Sequence, residues 1–172
     1  GTSKVVCLIT ESTSDGLKVL GLGSHPSRGL KNGVVVDIES TVSAIREATN
    51  KAELMSGIRV NQAYVGISGG SSCGLNSEGV VPIRDRKVKA SDVDKVINAA
   101  GAQSIKDGYK MLHILPRDFS IDQQNGIKEP LGMAGVRLEA KVHLVSCSKN
   151  AADNIDSCMK ACGISVQNYI LE

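Results

Sequence analysis

Hydrophobic and polar positions alternate most regularly between Arg137 and Leu144. Leu138, Ala140, Val142 and Leu144 share one side, and Arg137, Glu139, Lys141 and His143 share the other. A period of two with one apolar side is the pattern of a strand buried on one face only. It is the second of two strand-like runs in residues 110–145, joined by a polar connection rich in glycine and proline. Near the start, KVVCLITES (4–12) and GLKVLGLGS (16–24) flank the turn formers Ser14, Asp15 and Gly16 and predict a β-hairpin. Ile38, Val42, Ile45, Ala48, Ala52 and Met55 then recur at the helical period, with Asp37 placed to cap the helix and Gly57 to end it.

AYVGIS (63–68) predicts a short apolar strand, whereas GGSSCGLNSEG (69–79) is too rich in glycine and serine for a strand interior and marks a crossing between subdomains. Beyond it the pattern predicts a strand at about 79–84 and a helix capped by Ser91, with Asp94 three positions on and Val93, Val96, Ile97 and Ala100 inward. The strand pair of 110–145 follows. Residues 149–162 predict a helix burying Ala151, Ile155, Cys158, Met159 and Cys162, left at Gly163 for a last strand, SVQNYIL. The first half ends on a strand and the last helix and strand resume its alternation, so the middle reads as an insertion into an α/β parent.

Composition narrows the partners. The chain has 172 residues, enough for one medium domain or two small ones, and 20 Lys and Arg against 18 Asp and Glu give a net charge of +2. That is not the basic excess of a nucleic-acid binder. The only aromatics are Tyr64, Tyr109, Phe119 and Tyr169, too few for a base-stacking platform. Five scattered cysteines without a CxxC pair fit reduced thiols in a cytoplasmic protein, and Cys158 and Cys162, one helical turn apart, fit core packing. No uncharged apolar run approaches the ~18 residues of a membrane span.

Candidate chemistry is sparse. Gly21 and Gly23 begin a GxG pattern, but Pro26 stands where a dinucleotide fingerprint needs glycine. Gly69, Gly70, Ser71 and Ser72 could cradle an anion through backbone amides, yet no P-loop lysine accompanies them. His25, His113 and His143 are isolated, without the spacing of a metal site. Asp118 and Asp122, at i,i+4 in a strand-like run, read either as solvated carboxylates on one exposed face or as an acidic docking patch for a basic peptide. The basic turn RDRKVK, with Arg84, Arg86, Lys87 and Lys89, reads either as a solvated loop or as a polar interface contact. No catalytic constellation emerges, so the expectation is a binding element rather than an enzyme.

Taken in order, GLGSHPSRGLKNGVVVDIEST, KAELMSGIRVNQAYVGISG, EGVVPI, LHILPRDFSID, NGIKEPLGMAGVRLEAKVHLV and ACGISVQNYIL closely resemble the FtsA family, actin-like proteins of bacterial cell division. The resemblance implies an α/β fold: an incomplete actin-like, ribonuclease H-like subdomain 1A at 1–69 and 148–172, with an inserted α+β strand-helix-strand-strand subdomain, 1C, at 70–147. It implies a cell division adaptor that links FtsZ filaments to the inner membrane and recruits later divisome proteins. Subdomain 1C would serve self-association and protein contacts, including the cytoplasmic tail of FtsN. On that reading Val80 and Arg137 carry self-association, and Glu139, Lys141, His143, Asp118 and Asp122 are partner-binding.

ATP and Mg belong to the full-length family, FtsZ binding to its second lobe and membrane attachment to its C-terminal helix, none of which the resemblance covers. Gly1, Thr2 and Ser3 match the end of the family's first phosphate loop, so the segment reads as excised, with no cofactor, metal or nucleic acid of its own. The strand that precedes that loop in the family lies within the 1A sheet, which implies open sheet edges and, through them, a strand-swapped or edge-paired dimer. The resemblance places the protein in the cytoplasm, at the inner membrane of the division site. The alternative reading is a nucleotide-binding actin-like ATPase domain of a related pilus-assembly protein.

Overall fold

A computed structural model of the protein describes residues 3–102 and 105–172; Gly1 and Thr2 of the expected phosphate-loop remnant lie outside these, and Ser3 is exposed. Along the chain run β1 (Lys4–Thr13), β2 (Gly16–Pro26), β3 (Leu30–Lys31), β4 (Val34–Val35), α1 (Ile38–Ser56), β5 (Gln62–Ile67), β6 (Ser72–Pro82), α2 (Ala90–Gly101), β7 (Tyr109–Ile121), β8 (Gln124–Ile127), β9 (Arg137–Ser148), α3 (Lys149–Ala161) and β10 (Ser165–Leu171). They form two compact units: the described residues up to Ser72 with Ser148–Glu172, and Cys73–Cys147.

In the first unit β1 and β2 make the expected antiparallel hairpin, with a bulge between Ile9 and Thr10, and β5 pairs in parallel with β10. Asp37 caps α1 by accepting from the Ser40 amide, and Gly57 ends it in the left-handed conformation at φ 72°. The buried face of α1 keeps Ala48 and Ala52 of the predicted set, with Val42 and Ile45 half-buried, but is turned away from that set's two ends. Thr41, Ala44, Ala48, Thr49 and Ala52 are buried, while Ile38 and Met55 are exposed. The reason lies in the glycines of β2: a Cβ at Gly21 or Gly23 would collide with the backbone of Ala52 or Ala48. The GxG pattern therefore lets helix and strand backbones meet, and small helical residues suit that approach better than Ile or Met.

From α3, Ala151, Ala152, Cys158 and Met159 are buried, and the Tyr169 hydroxyl of β10 donates to the Ala152 carbonyl at 3.1 Å. The hairpin and the β5–β10 pair remain separate two-stranded sheets, so β1 and β5 each have one unpaired edge among the described residues. Residues of both, among them Val5, Cys7, Tyr64 and Val65, line a cavity of about 220 Å³ with Ile155 and Met159.

The second unit is a four-stranded sheet in the order β6-β9-β7-β8 with one helix, α2. Here β6 begins seven residues before the expected strand, taking in most of the GGSSCGLNSEG segment. Gly79 is needed inside it, because a Cβ there would strike the α2 backbone at Val96 and Ala100. The compact units meet at Ser72/Cys73, within three residues of the expected 69/70 boundary. The preceding turn, Gly69–Ser71, is held to the first unit by Ser68, whose hydroxyl donates to Asn32 O and accepts from Gly70 N. Helix α2 starts just after Lys89 rather than at Ser91, since the Asp92 carboxylate, not that of Asp94, reaches back to accept from Lys89 N at 3.1 Å. The core of this unit is Ile83, Val88, Val96, Ala100, Phe119, Ile121, Ile127, Leu138, Ala140, Val142 and Leu144.

Candidate protein-interaction site

Strand β9 divides its side chains as the alternation requires. Leu138, Ala140, Val142 and Leu144 are buried in the core with α2, and Arg137, Glu139, Lys141 and His143 take the opposite face, away from α2, the one helix among the described residues of this unit. The edge strand β6 runs beside it. Ser146 Oγ donates to Cys73 O at 3.2 Å, His143 Nδ1 lies 2.7 Å from Asn76 Oδ1, and Ile83 N donates to Val136 O at 2.8 Å. These contacts climb one strand while descending the other, so β6 and β9 are antiparallel and Val80 stands across from Glu139.

Val80 is 48% exposed, a large apolar side chain left in solvent. Beside it Arg137 Nε contacts Glu139 Oε1 at 3.0 Å. Val80, Glu139 and Arg137 thus form one patch, an apolar centre with an ion pair on its flank, and the two residues assigned to self-association are neighbours. Half-exposed ion pairs of this kind stabilise a fold by only about 0–1 kcal/mol, so this one adds little to folding while remaining available to a partner. Further along, the His143 ring lies against Gly74, where a Cβ would come within 2.7 Å of Nε2, and hydrogen-bonds Asn76. That histidine is engaged within the sheet. Lys141 is exposed and makes no ion pair among the described residues.

The two aspartates do not share a strand face. Asp118 is half-buried on β7, but Asp122 lies in the turn after that strand, at φ 53°, where its Oδ1 accepts from Val136 N at 3.2 Å and Arg137 N at 3.0 Å. A short polar side chain tolerates the left-handed region and can hold the neighbouring backbone, so Asp122 positions the start of β9 instead of offering a free carboxylate. Sequence spacing could not reveal this, because it assumed one continuous strand. Asn76, the partner of His143, was equally invisible, being 67 residues away in sequence.

Other candidates resolve into structure. In the turn Gly69–Ser72 the Ser71 amide donates to Ser68 O, the Gly70 amide to Ser68 Oγ and the Ser72 hydroxyl to Gly69 O, a stapled turn whose Gly70 and Ser71 amides are already engaged. Burial raises the Cys158 thiol above its ordinary range, and that of Cys162 as well, the latter offset in part by Arg46. No cluster of three or more metal-ligating side chains occurs among the described residues.

Comparison with known proteins places this face in a family setting. Residues 69–146 match the family model described as the SHS2 domain inserted in FTSA. The whole chain is 54% identical over 173 residues to "Cell division protein FtsA" of Pseudomonas aeruginosa. It is 42% identical to the same-named protein of Neisseria meningitidis, again over its full length, and 39% identical over 99% of its length to that of Escherichia coli. The chain spans about two-fifths of the length of these relatives, 42%, 42% and 41% respectively. Among solved structures it resembles a chain of the "PilM-PilN type IV pilus biogenesis complex", with a TM-score of 0.64 and 12% identity, covering 99% of this chain and 45% of that one. At that identity the likeness concerns the fold.

Proposed function

Because the chain belongs to the FtsA family of actin-like cell division proteins, we propose that it supplies a division adaptor with its self-association and protein-docking surface, and that it turns over no substrate itself. The observation that carries the reading is the patch of Val80, Glu139 and Arg137 on the face of the inserted unit away from α2. An exposed apolar side chain beside an exposed arginine fits an interface core, which is more apolar than the surrounding surface and enriched in arginine. The unit corresponds to subdomain 1C and the remainder to subdomain 1A. Its partners are further FtsA copies and the cytoplasmic tail of FtsN, at the cytoplasmic face of the inner membrane.

In the full-length protein FtsZ contact belongs to the second lobe, membrane attachment to a C-terminal helix, and ATP with Mg to the cleft between lobes. The cavity between β1 and β5 does not replace that cleft, since about 220 Å³ is below the roughly 300–1,000 Å³ of ordinary ligand pockets. Titrating this chain with a peptide of the FtsN cytoplasmic tail tests the docking role. Saturable binding that Lys141→Glu weakens is expected; heat signals no larger than buffer dilution would remove FtsN from the reading.

A further inference from the structure

The basic turn Arg84–Lys89 is not a loose loop. The segment 131–136 runs alongside it: Val88 N donates to Met133 O at 2.9 Å, Gly132 N to Val88 O at 2.9 Å, Gly135 N to Arg86 O at 3.1 Å, and Lys87 bridges Ala134. Asp122 fixes the far end through the amides of Val136 and Arg137. A Cβ at Gly135 would collide with Ile121, so this layer is seated directly on the core. Backbone groups satisfied in this way hold the main chain of both segments in place, so a partner that binds here has little backbone to order.

What the two segments display is mixed. Leu131 is 55% and Val136 54% exposed, although each lies within a few residues of buried Pro130 or Leu138. Arg84, Arg86 and Lys87 are exposed on the facing turn. Of the nearby acids, Asp85 is engaged by Lys89 at 2.5 Å, which holds its carboxyl below the usual range, Asp122 bonds backbone amides, and Glu129 is exposed at the edge. Arg86 and Lys87 make no ion pair among the described residues. Arg86 also occupies the left-handed region at φ 54°, where glycine or asparagine would be at ease.

We infer that this two-ply knob docks an acidic segment of a partner protein, whose apolar residues pack on Leu131 and Val136 while its carboxylates meet Arg86, Lys87 and Arg84. Charge complementarity selects an acidic occupant, and the two exposed aliphatic side chains favour a peptide over a bare anion. The site adjoins the Val80–Arg137 patch, Val136 directly preceding Arg137, but is built from other side chains and needs no second copy of the chain.

The test is amide chemical-shift mapping on this chain with a short peptide of glutamates and aspartates interspersed with leucines. Controls are the same peptide with lysines for the acids, inorganic phosphate, and phosphatidylglycerol vesicles. The acidic peptide should shift amides of 84–88 and 131–136, and bind roughly tenfold more weakly to the Arg86→Glu/Lys87→Glu variant. Raised salt should weaken it further. An Arg84→Glu/Lys87→Glu variant, which leaves the left-handed position untouched, should show the same loss. Equal binding by both folded variants, equal binding of the lysine peptide, shifts confined to other residues, or the same response to phosphate or vesicles alone would each overturn the assignment.

Discussion

Single residues decide how closely the backbones of this protein approach. Gly21, Gly23 and Gly79 lie in strands, where glycine ordinarily weakens pairing, yet each sits where a helix backbone leaves no space for a methyl group. Replacing Gly79 with valine should therefore cost about 1–3 kcal/mol through overpacking against α2, seen as a lowered urea midpoint with an unchanged slope. A midpoint equal to that of the parent would mean that the helix can shift without cost. The same close approach explains what the sequence concealed. A GxG pair is legible as a motif, but whether it faces a phosphate or a helix depends on a neighbour contributed from residues 48–52. Asp122 makes the same point, because its role comes from amides 14 and 15 residues downstream.

At the level of elements the periodic signals were sufficient for the type and order of the longer elements, but the short strands β3, β4 and β8 escaped them. The hairpin, the three helices and the one-sided strand β9 occur where alternation and caps predict them. Faces and edges were less legible. The α1 face is set by its glycine-bearing partner strand, and β6 extends through glycines and serines because pairing to β9 stabilises residues of low strand propensity. Both caps of α1 stand where the sequence places them, whereas that of α2 lies at Lys89 with Asp92 rather than at Ser91 with Asp94. At α1 the Asp37 carboxylate accepts from the hydroxyl and amide of Ser40, which lowers its pKa below the ordinary aspartate range. A carboxyl with a depressed folded-state pKa contributes stability above its unfolded pKa and loses it as pH falls through the folded value. The difference in melting temperature between parent and Asp37→Asn should accordingly be present near neutral pH and shrink on acidification. A difference that stays constant to low pH would show that the charge on Asp37 plays no part in the cap.

For the whole molecule, the arrangement is a pair of units in which a four-stranded sheet with one helix interrupts an α/β parent. The insertion was legible because strand-helix alternation stops near residue 70 and resumes near 148. The sites were less so: Val80 and Arg137 belong to different strands, and only the antiparallel register of β6 and β9 brings them into one patch. That patch bears the central claim, and the most direct measurement is sedimentation of a full-length FtsA protein carrying this segment, with ATP and magnesium, compared with its Val80→Asp/Arg137→Asp variant. Both side chains are exposed, so the variant should keep its fold and melting temperature while losing the fast-sedimenting assemblies of the parent. A folded variant that assembles as the parent does would contradict the account.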